Sequence, residues 1–115
     1  MNRELTPDEV SAIKSVAERL SSEQRRQLLQ DMVGASARSE TPDGSRIRFD
    51  IECYERPVYR GQHSFGVQGE LLDQDESKLS FDLFADENGR LLEMELIRWG
   101  EGGLISPDWS TLKLY

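Results

Sequence analysis

At 115 residues the chain has room for one hydrophobic core and not for two. Apolar residues make up 37% and charged residues 31%, interleaved rather than blocked, which excludes a disordered polymer, and no apolar run approaches the roughly 20 residues that span a bilayer. The formal net charge of -8 disfavours nucleic acid and anionic membrane as partners, and the lone Cys53 excludes an internal disulfide or a cysteine-based zinc site.

Met1 to Pro7 has no basic stretch followed by an apolar one, so no secretory signal is expected and the cytoplasm is the expected compartment. Thr6-Pro7-Asp8-Glu9 predicts a helix start: Thr6 caps, Pro7 fits the first turn and Glu9 completes a capping box. Val10, Ile13, Val16, Ala17 and Leu20 then recur at helical spacing as one apolar stripe. Ser21 and Gln24 repeat the capping pattern, and Leu28, Leu29, Met32 and Val33 form a second stripe ended by Gly34. Arg25 and Arg26 fall on the polar side of that second helix and read as a solvated face.

From Ala35 the period changes to two. Ile47, Phe49, Ile51 and Cys53 alternate with Arg46, Arg48, Asp50 and Glu52, the pattern of a strand with one buried face, and Cys53 is expected to be an inert core residue. The tight turn Thr41-Pro42-Asp43-Gly44 predicts a weaker strand over 35–40 pairing with it. Pro57, Gly61, Gly66 and Gly69 interrupt a stretch holding Val58, Tyr59, Phe65 and Val67, so a broken strand or long loop is expected, feeding a strand near Phe65 to Leu72 and a polar turn over Asp73 to Ser77.

Leu79, Phe81, Leu83 and Ala85 alternate with polar positions up to Asn88-Gly89, the favoured two-residue hairpin turn, and a second strand runs from Arg90 to Trp99. With that turn, paired residues have numbers summing to 177, which sets Leu92, Met94 and Leu96 opposite Ala85, Leu83 and Phe81 on the core face. The same register sets Asp82 opposite Glu95 and Phe84 opposite Glu93 on the outer face, together with Leu91 and Ile97. Leu112 and Leu114 predict a short edge strand in the tail. The expected fold is α+β: two amino-terminal helices (1–34) packed on a mainly antiparallel sheet of about four to five strands (35–115), as one domain over 1–115.

Residues 70–101 hold ten acids against three bases, a net of -7, so nearly all of the chain's charge lies in this unit. Like charges directly across a strand pair are destabilising, and such a pair is retained more easily when something outside compensates it. Carboxylates mixed with apolar anchors make an interface, and Asp82, Phe84, Asp86, Glu93, Glu95 and Ile97 are the expected partner-binding residues. A merely solvated face is the alternative.

No catalytic constellation is evident. His63, the only histidine, has no acid close by in sequence and reads as a surface-loop residue. Gly61, Gly66 and Gly69 lack the spacing and the Lys-Ser or Lys-Thr of a phosphate loop, and Asp73-Gln74-Asp75-Glu76 lacks the central Gly and terminal Glu of a calcium loop. No catalytic residue, metal or cofactor is therefore expected. A small hydrolase using His63 or paired carboxylates stays open as a minor alternative.

The stretch Leu83 to Leu96, the segment Ile105-Ser106-Pro107-Asp108-Trp109 to Tyr115, and Leu5-Thr6-Pro7-Asp8-Glu9 resemble immunity proteins of bacterial contact-dependent growth inhibition systems. The resemblance implies a cytoplasmic inhibitor that binds the toxic carboxyl-terminal domain of a cognate protein, often a basic nuclease, and blocks its active site or substrate surface. Trp99 and Trp109 are either anchors of such an interface or core packing. A general interaction module or homo-oligomeric subunit is the alternative.

Overall fold

The computed structural model describes residues 2–58 and 61–115; Met1 and Tyr59, named above, lie outside them. Helix α1 spans Pro7–Ala17 and begins as its sequence dictates, with Thr6 accepting from Glu9 N and the Glu9 carboxylate accepting from Thr6 N. Helix α2 spans Ser22–Val33, capped by Ser21 and ended at Gly34. Neither helix is long and apolar enough to cross a membrane.

Six strands follow: β1 (Ala35–Ser39), β2 (Arg46–Ile51), β3 (His63–Leu72), β4 (Lys78–Ala85), β5 (Leu91–Arg98) and β6 (Asp108–Leu114). They form a single antiparallel sheet in the order β1-β2-β5-β4-β3-β6, so the fold is α+β with one or two strands more than expected. The added pieces are edges. The weak strand expected over 35–40 pairs with β2 along the whole of β1, and the edge strand expected at Leu112 and Leu114 pairs with β3 through a shifted register.

The helices cover one face. Ala12, Ile13, Val16 and Ala17 of α1 and Leu28 of α2 pack against Ile47, Phe49, Leu71, Leu79, Phe81, Leu83, Met94 and Leu96 of the sheet, and the alternation of each strand is what presents those side chains together. Val10 and Leu20 are only half-buried at the margin, and Val33, at the last position of α2, is 84% exposed rather than core. Asp31 fastens α2 to the β4–β5 hairpin. It is 1% exposed, accepts from Gln27 Nε2 and from the Arg90 guanidinium, and takes the buried Leu91 N–H at 3.1 Å.

Three expectations need correction. Strand β2 ends at Ile51, and Cys53 sits in the following turn, exposed and at φ 61°, because the chain turns there instead of continuing its alternation. The hairpin register holds from Leu79↔Arg98 to Phe84↔Glu93, but Ala85 pairs with Leu91 and not Leu92. The tip is a wider turn, with Gly89 N bonded to Asp86 O, Asp86 N to Arg90 O, and Gly89 at φ 76°, and its extra residue is absorbed by a bulge. Leu91 consequently turns inward and is fully buried, not on the outer face.

Candidate protein-binding face

The uncovered face of the sheet carries the outward residues of every strand. Along β5 these are Glu93, Glu95 and Ile97, with Trp99 just beyond; along β4 they are Lys78, Ser80, Asp82 and Phe84. Asp82 lies directly across from Glu95, and Phe84 across from Glu93, as the turn-based register requires.

What local sequence could not show is the strand on the other side of β5. Strand β2 sets Arg46 opposite Glu95 and Arg48 opposite Glu93. Arg46 Nη2 lies 2.7 Å from Glu95 Oε2, and Arg48 Nη2 lies 3.3 Å from Glu93 Oε2. The two β5 carboxylates are therefore compensated from within the fold rather than from outside. Glu93 is covered as well, at 2% exposure. The alternation of Arg46 and Arg48 with buried Ile47 and Phe49 was visible, but nothing in it named the acids they would meet.

Asp86 also turns inward. Its carboxylate, 6% exposed, accepts from Tyr54 Oη, Arg56 Nη1, and the backbone N–H groups of Asn88 and Arg90. Burial pushes that carboxyl up, but the Tyr54 hydroxyl, these amides and the Arg56 charge outweigh it and hold it below the usual carboxylate range. Arg90 stacks 4.3 Å from the Tyr54 ring centroid, and Arg56 Nη2 donates to the carbonyls of Phe49 and Leu91. Arg56 thus bridges β2 and β5 just past their last paired residues. Residues 54–58, the described start of the stretch expected as a loop or broken strand, are a loop that delivers this clamp.

Of the six expected partner-binding residues, Asp82, Phe84, Glu95 and Ile97 remain accessible, and they converge. They line a shallow depression of about 320 Å³ that Gln68, Gly69, Ser80 and Tyr115 complete. Asp82 accepts from Ser64 Oγ at 2.9 Å and makes no ion pair among the described residues. Its carboxyl is pushed up, first by burial and also by the facing Glu95 charge, so ionisation here is held at a cost. Ile97 is 55% exposed, and Trp99 is 62% exposed beneath the Lys78 ammonium, with its indole N–H donated to Ser80. Trp109, by contrast, packs edge-on against Phe81 at 6.1 Å and belongs to the core.

His63 is exposed at the start of β3, in a cleft with Glu23, Gln27 and the hairpin tip. Among the described residues no group of three His, Cys, Asp or Glu side chains is placed to hold a metal ion.

Residues 2–107 match the model of a family described as Domain of unknown function (DUF6984). The chain belongs to this family. No curated protein and no solved structure matches the chain. Within this DUF6984 domain, the matched span ends just before β6, so the edge strand that carries the Tyr115 wall of the depression lies beyond it.

Proposed function

We propose that this domain is an immunity protein that neutralises a cognate toxin domain, a basic nuclease, in the cytoplasm, and that it does so by binding rather than by catalysis. The observation that carries the reading is Asp82: a partly desolvated carboxylate without a cation in the described residues, facing a second acid and walled by Phe84 and Ile97. A carboxylate kept in this state favours a partner that brings positive charge, and a net charge of -8 steers such a partner in. Apolar walls beside the acids supply the anchoring surface that charge alone lacks.

The adjacent reading frame of the source genome, expressed alone and together with this chain, tests the proposal: growth should stop in the first case and resume in the second. Asp82→Lys and Ile97→Asp should each remove protection while circular dichroism shows the fold retained. Full protection by both variants, or no growth arrest to relieve, counts against it. The exposed Ile97 and Trp99 also favour a second reading, self-association through the same face, which sedimentation of the purified protein checks.

A further inference from the structure

Between β3 and β6 the ladder slips. Glu70 faces Lys113 and Leu72 faces Asp108, so β3 advances two residues while β6 advances five, and Leu72 N takes the Thr111 hydroxyl at 2.8 Å in place of a backbone partner. A bulge of this size at a sheet edge opens space beside the strand. Here it leaves a cleft of about 510 Å³, within the range that holds a small organic ligand.

Leu72 gives this cleft an apolar wall, with the chain at Leu71 and Leu112 beside it and their side chains turned into the core, while Lys78 and Lys113 contribute two ammonium groups and Glu70 one carboxylate. Neither lysine is in an ion pair among the described residues, and Lys78 rests 5.6 Å from the Trp99 ring centroid. Glu70, although across from Lys113, is 3.5 Å from the Tyr115 hydroxyl. The cleft is thus locally cationic by one charge on a chain of net charge -8. Two ammonium groups against one carboxylate match a monoanion and disfavour both a cation and a neutral hydrocarbon.

We propose that the β3–β6 cleft binds a small amphipathic monoanion, a carboxylate with an apolar body, its charge between Lys78 and Lys113 and its body against Leu72. This site is separate from the proposed partner-binding depression, and its occupancy does not depend on any toxin.

Titration of the intact, isotope-labelled protein with octanoate, and in parallel with octanamide, tests the site by amide chemical shifts. Octanoate should give saturable shifts centred on Leu71, Leu72, Lys78, Thr111 and Lys113, and octanamide should bind more weakly. Lys113→Met and Lys78→Met should each weaken octanoate about three- to fivefold, the scale of one partly exposed charge contact. Glu70→Gln should tighten it, a gain that a merely loosened fold does not produce. Shifts that do not saturate, equal binding of acid and amide, or affinities unmoved by all three substitutions would overturn the proposal.

Discussion

Replacing Asp31 with alanine isolates the bond between helix and sheet. Two losses add. The Leu91 N–H, buried and bonded to Asp31 Oδ2, is left without an acceptor, at a cost of about 1–3 kcal/mol. Arg90 loses its carboxylate, but its side chain is 27% exposed and keeps the Tyr54 ring, so its charge reaches water and this part is discounted to about 1 kcal/mol. The total is about 3 kcal/mol, or roughly 12 °C in Tm for a domain of this size. Asp31→Asn keeps an oxygen for Leu91 and gives up the charge, so about half that loss is expected. Equilibrium urea unfolding followed by circular dichroism measures both, and the slope should stay constant because the surface exposed on unfolding is unchanged. A loss below about 1 kcal/mol for the alanine variant, or an equal loss for both variants, would refute the assignment of Asp31 as the fastening.

Arg48→Met should cost about 2–3 kcal/mol by stranding the buried Glu93, and the double variant Arg48→Met/Glu93→Met should recover most of it, as a double-mutant cycle in urea will show. Gly69→Ala should loosen β6 at a cost of about 1–3 kcal/mol, because a Cβ there falls 2.8 Å from Leu114 Cδ2 and 3.0 Å from the Lys113 carbonyl; faster amide exchange in 108–115 is the readout. Asp73 and Asp82 should respond to acid with opposite signs. Burial raises the Asp73 carboxyl, but the amides of Ile105, Ser106 and Gln74 and the Arg98 guanidinium leave it below its ordinary value, so its contribution is complete above the unfolded carboxylate pKa of about 4 and is lost as pH falls through the folded value. Asp82 is raised, so it favours folding below that range and loses this as pH rises: Asp82→Asn should be neutral or stabilising at pH 7, Asp73→Asn destabilising, and the two should converge in urea melts taken toward pH 3.

Local chemistry made the helix starts and most of the β4–β5 register legible. Thr6, Pro7 and Glu9 satisfy one another within a single turn, and the alternation of Leu79, Phe81 and Leu83 meets that of Met94 and Leu96 across a short connection. The tip was not legible because Asn88-Gly89 can close either a two-residue turn or a wider one, and the choice rests with the Asp86 carboxylate and with Tyr54 and Arg56, which are distant in sequence. The pairing of the charges was illegible for the same reason. Whether Glu93 and Glu95 are bare depends on β2, which is distant in sequence and whose own alternation is equally compatible with pairing elsewhere. Cys53 shows the limit of periodicity itself, since the pattern carried on for two residues after the backbone had turned away.

The placement of β2 beside β5 has a consequence for partly opened states of the molecule. If the β1–β2 ribbon lifts away, the edge of β5 that it uncovers carries Glu93 and Glu95 without Arg46 and Arg48. Two such edges brought together from different molecules would place carboxylate against carboxylate, which opposes the strand-to-strand assembly that exposed edges invite. The acids that are neutralised in the closed sheet therefore oppose strand-to-strand association in the open one.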